Sequence, residues 1–121
     1  MKKLLITLLL ISPFSFADWD DVYYCQMTSF VGVTLEGEKE NYKLEKFQFK
    51  LDSAKNAMVF GKGGFLSNYE MGIEEGMAFP SVEWWWAISS TTKSYFKEGK
   101  FLSSSVGVKD ATLISADCDK F

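Results

Sequence analysis

The sequence contains no histidine, and every one of its 13 cationic side chains is lysine, so arginine is missing too. Without histidine there is no Ser-His-Asp triad, no Cys-His dyad and no histidine-ligated zinc. Without arginine there is no planar fork for bidentate contact with phosphate or guanine. Cysteine is limited to two residues and proline to two. Apolar runs are short as well. The longest, Leu4 to Ile11, falls well below the ~20 residues that cross a bilayer as a helix, and no later segment approaches it.

That one run has a recognisable setting. Lys2 and Lys3 precede it, and Ser15 and Ala17 place small residues at −3 and −1 of a cut before Asp18. These are the parts of a secretory signal peptide. Residues 1–17 are therefore expected to be removed, leaving 18–121 as a single domain in the periplasm or outside the cell, with no membrane span after cleavage. Losing the two leader lysines moves the net charge from −3 to −5, which repels phosphate backbones; nucleic acid is not expected as a partner. Asp18, Asp20 and Asp21 at the new terminus lack the spacing of a calcium loop and read as a frayed, solvated end.

In an oxidising compartment Cys25 and Cys118 are expected to form a disulfide across 93 residues. The pair would make the first and last strands neighbours. Between them the chain alternates. From Tyr23 through Cys25, Met27, Val31 and Val33 to Leu35 the odd positions are expected to face inward, followed by a charged turn at Gly37. Phe47, Phe49 and Leu51 alternate with Lys46, Gln48 and Lys50, and Met58 and Phe60 resume that face, so 42–61 reads as a hairpin. Phe65 to Met71 is a candidate fourth strand, and Ile73 to Pro80 an exposed connection. A second hairpin turns at Glu98-Gly99, and Thr112, Ile114, Ala116 and Cys118 share a face of the last strand. Seven or eight short strands in meander order, with no helical stripe, predict an all-β antiparallel barrel or sandwich.

Chemistry is sparse. Glu70, Glu74, Glu75 and Glu83 are the best candidates for the paired carboxylates of a hydrolase, and Gly61-Lys62-Gly63-Gly64 lacks the spacing of a phosphate loop and reads as a turn. No catalytic residue, metal site or cofactor is expected. Trp84-Trp85-Trp86 is the least ordinary feature, because a strand sends the outer two to one side and Trp85 to the other. The expected arrangement puts Trp84 and Trp86 inside, with Trp85 against a loop or cross-strand neighbour. In the functional version Trp85, with Tyr69, Phe79 or Tyr95, forms an exposed platform for a ligand or protein; a third version buries Trp85 and turns the pair outward.

The two ends of the chain resemble a known family. A Tyr-x-Cys strand (Tyr23, Tyr24, Cys25) just after a leader, with the second cysteine three residues from the C-terminus, is similar to the small periplasmic inhibitors of c-type lysozyme. The resemblance implies a compact antiparallel β-barrel. That family's Ser-Ala-Ser-Gly-Ala-Arg-Tyr type inhibitory loop has no counterpart here, so no functional residue carries over. The sequence thus points to an exported, non-enzymatic binding module for an unidentified protein or small ligand, using the glycine-rich 61–80 connection and nearby aromatics. The alternative is a carrier with an apolar cavity lined by Phe47, Phe49, Trp84 and Trp86.

Overall fold

A computed structural model describes residues 17–73 and 85–121. Among them are nine strands and no helix: β1 (Val22–Thr34), β2 (Lys39–Asn41), β3 (Lys46–Asp52), β4 (Ala57–Phe60), β5 (Glu70–Ile73), β6 (Trp85–Ile88), β7 (Thr92–Lys97), β8 (Lys100–Val106) and β9 (Asp110–Lys120). All pairings are antiparallel. The order β1-β3-β4-β5-β6-β7-β8-β9 closes because β9 pairs back onto β1, from Tyr23 opposite Lys120 to Thr34 opposite Asp110. The result is an eight-stranded barrel. β2 is the extra strand, turning back on β1 at Val31–Val33, while β3 takes the Val22–Gln26 half of β1. Cys25 lies opposite Cys118 and the two are disulfide-bonded, their Cα atoms 4.0 Å apart, so the first and last strands are joined where the barrel closes.

Alternation works where the inner face is large and the outer face charged. In β3, Phe47, Phe49 and Leu51 are buried between exposed Lys46 and Lys50. The hairpins follow as expected. β3 and β4 are joined by the polar turn at 53–56, and β7 and β8 by Glu98 and Gly99, both at positive φ as a tight two-residue hairpin turn requires. Ile114, Ala116 and Cys118 of β9 are buried. The interior is filled by rings: Phe47 and Phe101 have centroids 4.9 Å apart, Tyr23 and Phe96 4.6 Å, and Phe49 and Phe96 5.1 Å. The buried hydroxyls pair with one another, Ser94 Oγ donating to Ser103 Oγ at 3.0 Å and Thr92 Oγ1 to Ser105 Oγ at 3.1 Å, which removes the penalty of burying them unbonded.

Three local expectations are corrected. The inward alternation of β1 holds for Tyr23, Cys25 and Met27, then the register slips between Met27 and Ser29. One extra residue in a strand moves every following side chain to the other face. Beyond the bulge Phe30 packs on the core and Gly32 is buried under the Tyr42 ring, 2.8 Å from where a Cβ would stand, while Val33 and Leu35 are exposed. The candidate strand at Phe65 is instead a turn over 65–68, with β5 beginning only at Glu70, and Ile73 is a buried strand residue rather than loop. Residues 74–80 of that connection lie outside the described residues. Third, Asp18–Asp21 is an ordered turn and not a frayed end. Asp20 N donates to Leu51 O at 2.6 Å, and the Asp20 carboxylate accepts from the Ser53 backbone and hydroxyl, hydrogen bonds that lower its pKa.

The glycine-rich segment is the turn the sequence suggested, and β3 holds it down: Gly61 N donates to Gln48 O at 3.0 Å and Phe65 N to Lys46 O at 3.2 Å. Gly64 sits at φ +92° with the Lys46 carbonyl oxygen 2.5 Å from the position of a Cβ, whereas Gly63, at φ +74°, has nothing within 4 Å. Gly64→Ala is therefore expected to cost about 2–3 kcal/mol and Gly63→Ala about 1 kcal/mol. Urea unfolding of the two variants checks the difference; equal costs would mean that the loop does not lie on β3.

Candidate functional site: an apolar outer wall

The tryptophan run settles the orientation of β6. Ala87 is fully buried and Trp85 faces Phe96 across the ladder, so Trp85 and Ala87 point inward and Trp86 and Ile88 outward. Trp85 packs against the core and meets Trp19 edge-on, 5.0 Å between centroids. The expectation that Trp86 fills the interior is corrected, as is that of Trp85 as an exposed platform. The third arrangement is the one adopted at these two positions, and Trp84 lies outside the described residues. Local sequence could not decide the parity because both sides of this strand are apolar. Its neighbours decide it: Ser94 and Phe96 present their inner face to β6, and only Trp85 and Ala87 complete that surface.

The proposed platform is dispersed. Tyr69 packs on the core, with its hydroxyl bonded to Ser89 Oγ, at the far end of β6 from Trp85. Tyr95 is on the outer face, its ring 5.0 Å from Trp86 and tilted by 33°. Phe79 lies outside the described residues. Of the carboxylates, Glu70 is outward and bound to Lys55 at 2.9 Å, a contact that raises the lysine's pKa; Glu74, Glu75 and Glu83 lie outside the described residues. Among the described residues no group of three or more acidic or cysteine side chains is placed to hold a metal.

Register brings together what the sequence keeps apart. Across the outer face Trp86 lies opposite Tyr95, Tyr95 opposite Leu102 and Leu102 opposite Ser115. A second row runs Ile88, Lys93, Ser104, Leu113 and Val31, and a third Val106, Ala111 and Val33. Leu102, Leu113 and Val33 are each about half exposed, and Val106 is 67% exposed. The Lys93 ammonium stands 5.9 Å from the centre of the Trp86 ring. Over β7, β8, β9 and β1 the wall carries an open groove of about 810 Å³ lined by Thr28, Tyr95, Lys97, Leu102, Ser115 and Asp117. Lys100 and Asp117 pair at its rim at 2.7 Å, and Thr28 and Ser115 hydroxyls bond at 2.8 Å.

The opposite wall is different. β3 turns Lys46, Gln48 and Lys50 outward, and β5 turns out Glu70 and Gly72. The outer surface is therefore sided in degree: exposed apolar side chains gather over β6–β9 and the second half of β1, interspersed with Lys93, Lys97, Lys100 and Asp117, whereas β3 and β5 turn out mainly charged side chains beside Val59 and Tyr24. A barrel with lipid all round would carry an apolar belt on every strand, which this one lacks. Among the described residues no helix is long and apolar enough to cross a membrane. Sequence reading missed the apolar wall because its members lie on five strands, and β7 and β8 alternate Ser with Phe inside against Tyr and Leu outside. The only local signal was a Tyr and a Leu on strands whose other face already supplied a buried Phe. A comparison of the chain with protein-family models, with characterised proteins and with solved structures finds no match.

Proposed function

We propose that this protein is an exported, non-enzymatic binding module that holds a protein partner on the apolar wall of β6–β9 and β1. The observation that carries this is the sidedness of the barrel, since exposed apolar residues gathered on one face, against a mainly charged face opposite, mark interaction surfaces. The groove has the volume of a site for an extended peptide or a drug-sized group. Tyr95 and Leu102 are its apolar anchors, and Lys97, Lys100 and Asp117 its polar rim. The lack of histidine, and the pairing of both cysteines with each other, support the non-enzymatic part. The alternative of a ligand carried inside the barrel finds little support in an interior where Phe47, Phe49, Phe60, Phe96 and Phe101 pack ring against ring.

The test uses two wall variants, Tyr95→Ala and Leu102→Glu, with Gln48→Glu on the charged wall as control. Immobilised protein is exposed to envelope extract, and the species retained are identified and then titrated. Removal of an anchor at the centre of a protein interface costs about 2 kcal/mol or more, roughly thirtyfold in affinity. Both wall variants are expected to lose the partner by that factor while Gln48→Glu keeps it. Retention by both wall variants, or equal loss in the control, would overturn the assignment.

A further inference from the structure

The ordered turn at the start of the domain has one unusual donor. The backbone nitrogen of Asp18 donates to Asp21 Oδ2 at 2.9 Å, and the same oxygen lies 3.2 Å from Lys120 Nζ at the end of β9. The Asp21 side chain is only 17% exposed. Its neighbours are the Asp18 carboxylate, which accepts from Trp19 N at 3.0 Å, and the phenol of Tyr23, pushed up to about 12 by burial and then by the Asp21 and Asp18 carboxylates. Asp20 faces away, bonded to Ser53 and attracted by Lys50. Asp18 and Asp21 thus bring two negative charges beside the Tyr23 phenol, and Lys120 bonds to the Asp21 carboxylate. Between Asp18 and Asp21 the chain carries Trp19, which lies edge-on to Trp85 where β1 begins and β9 ends.

We propose that cleavage between Ala17 and Asp18 supplies a second positive charge to these carboxylates: the new α-ammonium of Asp18 docks on Asp21 beside Lys120 and fixes Trp19 over this end of the barrel. The inference rests on the export reading, in which a signal peptidase makes this cut. In the step the Ala17–Asp18 C–N bond breaks, the oxygen of a water bonds to the Ala17 carbonyl carbon to give the leader's carboxylate, and both protons of that water end on the Asp18 nitrogen, completing –NH3+. An amide that donated one hydrogen bond becomes a cation at the same place, and a charge-assisted bond is the stronger of the two. The uncut chain keeps the hydrogen bond without the charge, so its Trp19 is held less firmly. Processing is in this sense the last step of closing the fold. A carboxylate partner raises the amine's pKa, so the stabilisation is complete below the ordinary α-amino value of about 7.7–8.0 and is lost as pH climbs through the raised one.

The experiment uses residues 18–121 released from a fusion so that Asp18 carries a free amine, the same chain acetylated on that amine, and Asp21→Asn in both forms. The pKa of the Asp18 amine is read by NMR and melting is followed at pH 6.5 and pH 10.5. The free amine is expected to titrate about half a unit or more above its ordinary value. Acetylation is expected to lower the melting temperature by about 2–4 °C at pH 6.5 and by nothing resolvable at pH 10.5, and Asp21→Asn to abolish both effects. An ordinary amine pKa with no effect of acetylation would overturn the proposal, as would an acetylation effect that survives undiminished in Asp21→Asn. N-terminal sequencing of exported material separates the two claims: a start other than Asp18 refutes the processing step, whatever the amine does in the prepared chain.

Discussion

Replacing Cys25 and Cys118 together by alanine is expected to lower the melting temperature by about 20 °C and to bring the protein close to the limit of folding at 37 °C. The loop closed by the bridge spans 93 residues, and the chain-entropy model assigns such a loop about 4–5 kcal/mol, an upper figure because residual structure in the unfolded chain reduces it. Domains of this size have about 5–15 kcal/mol in total, so the loss is most of a marginal protein's reserve. The place of the bridge adds to its effect. β1 and β9 are the two longest strands and their ladder is the closure of the barrel, with ends about 90 residues apart in the chain. Bringing such distant segments together is the entropically costly step of forming this topology. Urea unfolding of the oxidised protein against the double variant checks this. The expected outcome is a large drop in midpoint with a steeper slope, since a chain freed of its cross-link exposes more surface on unfolding. An unfolding free energy changed by less than about 1 kcal/mol would show that the strands close the barrel without help.

The second large effect is expected from Phe49→Ala, at about 3–5 kcal/mol. Phe49 is 1% exposed, and its ring meets Tyr23 of β1, Phe60 of β4, Phe96 of β7 and Phe101 of β8 at centroid distances of 5.6, 5.7, 5.1 and 5.8 Å. Four strands, β1 and β4 flanking β3 and the adjacent pair β7 and β8, converge on one ring. Each is held by its own ladder, so none can move in to fill the space, and a cavity that cannot collapse keeps its full cost. Leu102→Ala on the outer wall removes a comparable apolar side chain that is already half in water, and is expected to change stability by less than about 1 kcal/mol. Thermal or urea unfolding of the two variants measures the contrast. Similar losses for both would mean that the outer wall is packed as tightly as the interior.

The fold was more legible than the surface. Phe47, Phe49 and Leu51 could be read because lysine and glutamine separate them, leaving one way to bury the strand. Cys25 and Cys118 could be paired because they are the only two cysteines. The bulge after Met27 was not legible, since a strand with Ser29, Val31 and Val33 on one side and Phe30 and Gly32 on the other satisfies alternation in either phase; β9, through its register, makes the choice. Trp85 and Trp86 posed the same problem and were resolved by Ser94 and Phe96. At the terminus, three aspartates in four residues read as solvated, and the one sign of order was Trp19 among them, an apolar ring that had to find a partner. The apolar wall could not be found from any single segment. Trp86, Tyr95, Leu102, Leu113 and Val33 become neighbours only once the barrel has closed and the registers are known.

We propose that the β-barrel sealed by sulfur between its first and last strands is exported and processed after Ala17. The most direct test is the intact mass of the protein taken from the envelope or secreted fraction, without reductant. The expected mass is that of residues 18–121 less two hydrogens, with two hydrogens regained on reduction. A mass that retains the leader, or one that takes up thiol alkylating agent before any reductant is added, would contradict it.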